Sequence, residues 1–346
     1  MTGNKSKIYA AIAGLVMLVI ILDGKTATYG ASQGIEVCLR TVVPSVFPFF
    51  ILSSFIYTSL IGQDIRLLRP LGRLCKIPAG SESIMLLGYV AGYPVGAQLI
   101  GQCYKDGRIS LETAKRMVCF CNNSGPAFIF GMVATRFSGL YIVWVLWLIH
   151  LLSGLMVGLI LPDCGSPAFR SVSAEPVCVK NALDRSVRII LSVCSWVIVF
   201  RIVLEFCGRW FMWRLPVTMQ VLISGLLELS NGCIRLNEIQ CEGLRFIVAS
   251  ILLSAGGLCV TMQTLSVSQG TVGPKYFLGK GTQTVFSLLL CVTLQPILFS
   301  KSNQFHFPTA LIFVLCCIAL ALIFLAQKKD IAFSRKIVYN EGNTVR

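Results

Sequence analysis

Gly92-Tyr93-Pro94-Val95-Gly96-Ala97-Gln98 and Cys119-Phe120-Cys121-Asn122-Asn123-Ser124-Gly125-Pro126 decide how this chain folds, because each interrupts an apolar run. The runs that contain them, Ser83 to Cys103 and Met117 to Thr135, carry no charge over 21 and 19 residues. At about 1.5 Å per helical residue, each is long enough for a bilayer core of about 30 Å. Neither reads as a plain spanning helix, since Gly and Pro release backbone N–H and C=O groups that hydrocarbon cannot satisfy. A break at that depth has to lie against protein or line a wet cavity, which is how many transporters build substrate and ion sites.

The composition extends this reading to the whole chain. Of 346 residues, 55% are hydrophobic and 13% charged, and the mean hydropathy is +0.77. That is too much apolar surface for one soluble core, so most of it faces lipid. The 30 Lys and Arg against 15 Asp and Glu fall in short connectors between apolar runs. This is the positive-inside pattern of a cell-membrane protein and speaks against a nucleic-acid binder. Fifteen Cys without a CxxC, and two His (His150 and His306), support neither a disulfide framework nor a metal centre. With no GxSxG, HExxH or phosphate-cradling loop, the chain is expected not to be an enzyme and to carry no cofactor.

In chain order, Ile8 to Leu22 is a first helix with a cytoplasmic N-terminus, and Asp23 to Gln33 an external loop. Thr41 to Gln63 is a span bent early by Pro44 and Pro48. Asp64 to Glu82 and Tyr104 to Arg116 are basic cytoplasmic connectors, and Gly139 to Leu161 is a charge-free span. His150 within it reads as a helix-contact residue. Pro162 to Arg188 is a soluble linker between two halves. Further runs begin at Ile189, Leu215, Phe246, Thr284 and Pro308.

The halves share landmarks. Glu36-x3-Arg40 matches Asp184-x3-Arg188, and Gly92-Tyr93-Pro94-Val95-x2-Gln98 matches Gly257-Leu258-Cys259-Val260-x2-Gln263. The two offsets differ by about one helix, a surplus placed at the run from Leu215. Parity adds a constraint. Three runs lie between the first basic connector and the linker, and five between the linker and Lys328-Lys329. Both numbers are odd although all flanks should be cytoplasmic, so one run in each half must fail to cross. Ser83 to Cys103 and Phe246 to Leu265 are the Gly-broken candidates. The expected fold is an all-α polytopic membrane protein with about eight transmembrane helices and two re-entrant or broken helices in two inverted repeats.

Val43-Pro44-Ser45-Val46-Phe47-Pro48-Phe49-Phe50, Gly92-Tyr93-Pro94-x-Gly96-Ala97, Asp106-Gly107-Arg108-Ile109-Ser110 and Cys121-Asn122-Asn123-Ser124-Gly125-Pro126-Ala127-Phe128-Ile129-Phe130-Gly131 resemble the YlbJ family of sporulation integral membrane proteins. The resemblance is dense over 34–137 and thinner over 182–300, where Glu228-Leu229-Ser230-Asn231-Gly232 still fits. It implies a nucleoside-recognition Gate domain, a distant relation to concentrative nucleoside transporters, and a role in spore formation through cortex assembly. On that basis the chain divides into an N-terminal helix and loop (1–33), a first Gate-like repeat (34–161), a cytoplasmic linker (162–181), a second Gate-like repeat (182–327) and a basic cytoplasmic tail (328–346). Location in the mother-cell or forespore membrane follows from the same resemblance.

A solute site would use the polar residues within the runs. Gly92, Tyr93, Pro94, Gly96, Gln98, Asn122, Asn123, Ser124, Gly257 and Gln263 are the substrate-binding candidates, because amides and hydroxyls both donate and accept, as a ribose or base edge requires. The competing use of Asn and Ser is capping broken helices and joining neighbouring ones. Arg201 and Glu205, four apart, are expected to pair. Glu228, without such a partner, is the ion-coupling candidate together with Asn231. Expected partners are the bilayer, a nucleoside-like or other small solute, other copies of the chain or sporulation membrane proteins; a non-transporting scaffold for cortex assembly is the alternative role.

Overall fold

The computed structural model describes residues 2–299 except 64, 163–168 and 171–177, and it does not describe the side chains of 2–6 and 9. Most of the expected linker, His306, the run from Pro308 and the tail lie outside the described residues. Among those described, every regular element is a helix, and five are long and apolar enough to cross a bilayer. Large apolar side chains such as Leu15, Leu52, Leu148, Leu152 and Leu191 point outward. The chain is an all-α polytopic membrane protein.

Helix α1, Thr2–Leu22, leads into α2, Gly24–Val37, which Asp23 caps by accepting from Thr26 N at 3.4 Å. The external loop expected at 23–33 is therefore helical. Its signal was Gly30-x3-Gly34. A Cβ at either glycine would come within 2.8 Å of a backbone Cα, that of Ile202 or Ile198, so α2 presses directly on a later helix. Such small-residue contacts stabilise helix pairs without an apolar run. A π-helical turn, Cys38–Val42, joins α2 to α3, Val43–Leu60. Pro44 follows it in the first turn of α3, where a missing N–H is least costly, and Pro48 lies within α3.

Next come α4, Arg69–Leu74, then α5, Glu82–Val90, and α6, Val95–Lys105, with α5 folded back on α6. Helix α7, Leu111–Val118, ends in an unwound stretch at 119–125. Helix α8, Pro126–Phe128, continues as π and 3-10 turns to Arg136 and is followed by α9, Leu140–Ile160. The second half holds α10, Val179–Trp210, α11, Val217–Leu227, and α12, Leu229–Arg235, with α11 folded back on α12. It closes with α13, Glu242–Ala255, α14, Gly257–Val267, and α15, Pro274–Leu298. Gly256, in the left-handed region at φ +75°, separates α13 from α14.

Contacts between connectors define two faces. Arg116 donates to the carbonyls of Lys76, Gly158, Leu161 and Pro162, and Arg170 N donates to Arg108 O at 3.1 Å. The basic connectors and the far end of α9 thus share one face, and Arg116 caps α9 with its guanidinium. On the opposite face Arg209 pairs with Asp23 at 3.2 Å, and Glu242 accepts from Ser138 N at 2.7 Å. Helix α9, at about 31 Å, bridges the two faces.

These faces settle which runs return. The pair α5–α6 leaves the basic face after Lys76 and comes back to it by Arg108, a hairpin with its tip at Gly92 and Tyr93. The pair α11–α12 enters from the opposite face, where α10 ends, and returns there: Arg235 of α12 donates to Gln220 and Ser224 of α11. By contrast α13–α14 starts beside Ser138 and ends with Ser268 O against Gly101 on the basic side. The second non-crossing run is therefore the one from Leu215. Phe246 to Leu265 is a broken crossing. The surplus helix disappears with this change. Each half consists of a long helix, a returning hairpin, a broken crossing and a second long helix, and the hairpins enter from opposite faces. Gly92 then corresponds in place to the tip at Glu228, and the counterpart of Gly257 is the unwound stretch at 119–125.

Candidate functional site

The two hairpin tips and the two broken crossings meet at one cavity of about 60 Å³. Gly92 and Tyr93 reach it from the first tip, Glu228, Leu229 and Ser230 from the second, Ser124 and Gly125 from the unwound stretch, and Val260 and Gln263 from α14. The rest of the wall is largely apolar, with Val46 beside Ser45 on α3, Phe128 and Met132 after the unwound stretch, and Val193 and Val197 of α10. Its volume is well below the roughly 300 Å³ from which sites for drug-sized ligands run, so in this conformation the cavity suits an ion or a few waters better than a nucleoside.

Close backbone packing sets the tip in place. Cys121 of the unwound stretch lies between the arms of the first hairpin. A Cβ at Gly88 or Gly96 would fall 1.8 Å or 2.1 Å from its carbonyl oxygen. The Asn pair then closes the open hydrogen bonds. Asn122 Oδ1 accepts from Ala97 N in the first turn of α6 at 3.3 Å, and its Nδ2 donates to Thr264 Oγ1 at 3.1 Å. Asn123 Nδ2 donates to Phe120 O at 2.5 Å. Ser124 N donates to His150 Nε2 at 3.1 Å, which leaves the imidazole neutral with its proton on Nδ1. Nδ1 itself is buried without a hydrogen-bond partner among the described residues.

Behind Tyr93 sits Lys280 of α15, 5% exposed. Its Nζ donates to Asn122 O at 2.7 Å, Gln283 Oε1 at 2.9 Å, Tyr93 OH at 2.9 Å and Asn123 Oδ1 at 3.2 Å. It also lies 5.0 Å from the centre of the Tyr93 ring. Burying an ammonium costs several kcal/mol. Hydrogen bonds to a charged group contribute about 1.5–3 kcal/mol each, so this set can offset the cost without a carboxylate. Gln283 Nε2 also donates to Asn123 Oδ1 at 2.9 Å, and so α15 is tied to the unwound stretch twice.

At the second tip Glu228 caps α12, accepting from Ser230 N at 3.0 Å, Asn231 N at 2.8 Å and Asn231 Nδ2 at 3.1 Å. Arg201 pairs with Glu205 at 2.9 Å and also donates to Asn231 Oδ1. The two candidates read separately in the sequence are thus one chain of polar contacts, Glu205 to Arg201 to Asn231 to Glu228. Among the described residues no group of three or more His, Cys, Asp or Glu is placed to hold a metal.

The chain is 25% identical to the sporulation integral membrane protein YlbJ of Bacillus subtilis (strain 168), over 361 aligned positions that cover 90% of this chain and 88% of that protein. This similarity supports the resemblance to the YlbJ family that the sequence carries. No family model matches it, and no solved structure does. Three of the segments through which the sequence resembles the YlbJ family contribute to the cavity wall, namely the Pro-rich start of α3, the first hairpin tip and the unwound Asn stretch, whereas the connector to α7 lies on the basic face.

The candidate residues divide accordingly. Gly92, Tyr93, Ser124, Gln263 and Glu228 line the cavity. Asn122, Asn123 and Asn231 are buried beside it and committed to caps and ties. Pro94, Gly96, Gln98 and Gly257 do not line it: Gly96 seats Cys121, and a Cβ at Gly257 would fall 2.7 Å from Gly225 O. Gln98 and Gln263 are therefore not equivalent, which follows from the corrected pairing of the halves. Lys280 and Gln283 were missed. Their signal was a lysine one turn before the run that begins at Thr284, which a charge-free definition of a span discards.

Proposed function

We propose that the chain serves spore formation as a carrier or channel for a small polar solute, with the 60 Å³ cavity as a closed form of its path. The observation that carries this reading is the meeting of two hairpin tips, one from each face, at one largely apolar cavity with a few polar groups between two broken helices. Moving either hairpin would open the cavity to one side while the other stayed shut, which is the requirement of alternating access. The nucleoside-recognition Gate relation that the resemblance to the YlbJ family implies favours a nucleoside-like solute, and the few hydroxyls and the one amide of the wall, Gln263, would meet it once the tips separate. No catalytic chemistry enters this role.

The test is thermal stability of the purified protein against nucleosides, amino sugars and divalent metals. One class should raise Tm saturably with concentration, as selective binding to the folded state requires. A flat response to the whole panel overturns the carrier reading in favour of a scaffold for cortex-assembly proteins, for which the small cavity is the supporting observation.

A further inference from the structure

Among the described residues, Lys280 is buried in a ring of oxygens that includes no carboxylate. Two of its acceptors, Asn122 O and Asn123 Oδ1, come from the unwound stretch, one from the first hairpin tip and one from its own helix. The other titratable groups around it are Tyr93, Tyr276, His150, Cys119 and Cys121, none of which carries a negative charge at neutral pH in the ordinary range of its type. Freed backbone carbonyls and amide oxygens at a broken helix are the groups that coordinate monovalent cations in membrane carriers. A neutral set of such oxygens also lacks the negative charge that a divalent ion requires.

We propose that Lys280 is a tethered cation seated in a monovalent-cation site, so that the chain supplies from α15 the positive charge that a sodium ion would otherwise bring. The ammonium joins three elements that must separate if the first hairpin moves: the tip through Tyr93, the unwound crossing through Asn122 and Asn123, and α15 itself. While it is seated, the first hairpin is locked, and the lock needs no ion from solution. The seat exists whether or not a solute crosses; its use in gating rests on the carrier reading above.

The experiment measures Tm in NaCl, KCl and choline chloride at equal ionic strength for the parent, Lys280→Ala and Lys280→Met. The parent should respond equally to all three salts, because its seat is filled. Lys280→Ala opens the ring, so its lowered Tm should recover by about 2–5 °C in a saturable manner with sodium or potassium and not with choline. Lys280→Met fills the space with an apolar chain and should show no such recovery. A sodium- or potassium-specific rise in the parent overturns the proposal, as does a folded Lys280→Ala indifferent to the cation. Should neither variant fold in any salt, the parent's response decides alone: equal response to the three salts supports the filled seat and selective response refutes it. The solute panel reads transport separately, so a flat panel with a cation-responsive Lys280→Ala would remove the carrier and keep the seat.

Discussion

Glu228 illustrates how a membrane carboxylate can be held by backbone and one amide. Both its oxygens accept from N–H groups at the start of α12, and the positive end of a helix favours the charge. Glu228→Gln replaces one acceptor by an NH2 facing those donors, so its stability should fall by about 0.5–2 kcal/mol, the usual cost of losing an N-cap. Glu228→Asp, still a capping carboxylate, should recover most of the loss. Thermal or denaturant unfolding of the three proteins checks this. A Gln variant as stable as the parent would return Glu228 to the ion-coupling role for which the sequence made it a candidate. At this scale the sequence brought out polar residues that the fold gathers at or beside the cavity, but not their duties. Asn122 and Asn231 look alike as buried amides, and only tertiary placement reveals that one caps α6 while the other bridges Arg201 and Glu228. Lys280 went unseen because an apolar-run reading treats every charge as a boundary, and a charge saturated by neutral oxygens is the exception to that rule.

Among the elements, the long helices were legible and the contacts between them were not. Gly139 to Leu161 became α9 within a residue at each end, because 21 apolar residues leave no other fold in a bilayer. Helix α2 escaped notice since its stability comes from one glycine track against α10. A side chain at Gly34 meets the Ile198 backbone, which cannot step aside. Gly34→Val should therefore destabilise the protein by about 1–3 kcal/mol through overpacking and part the two helices. Gly14, with nothing within 4 Å, is the internal control, and Gly14→Ala should be neutral or stabilising by up to about 1 kcal/mol. Unfolding midpoints of both variants make the comparison, and equal effects at the two glycines would deny the close crossing. The unwound stretch at 119–125 follows a similar logic. Gly88 on α5 and Gly96 on α6 stand on the two arms of the first hairpin, and their bare positions let the backbone of Cys121 lie between them.

For the whole molecule, parity of runs and faces of connectors together fix the topology. The odd number of runs led to the expectation of one non-crossing segment in each half, since charge distribution constrains only where connectors lie. It could not say which run returns. Glycine content pointed to Phe246 to Leu265, but a helix broken at one left-handed glycine can still run through, whereas α11 and α12, reversed at Glu228 with Gly225 facing Gly232, cannot. The distinction has a direct consequence at Asn237, an exposed residue just past α12. If the Leu215 run crossed, Asn237 would share a side with Lys105 and Arg170. With α11–α12 as a returning hairpin it lies on the other side, beside Glu242 and Ser138. Single cysteines at these three positions, in a cysteine-free background, should be labelled by an impermeant thiol reagent in two classes: Lys105 and Arg170 from one side only, and Asn237 only from the other. Labelling of all three from one side would make α11–α12 a crossing segment. The cavity would then have a returning hairpin from one face alone, and the pair of opposed hairpins that alternating access uses would be lost.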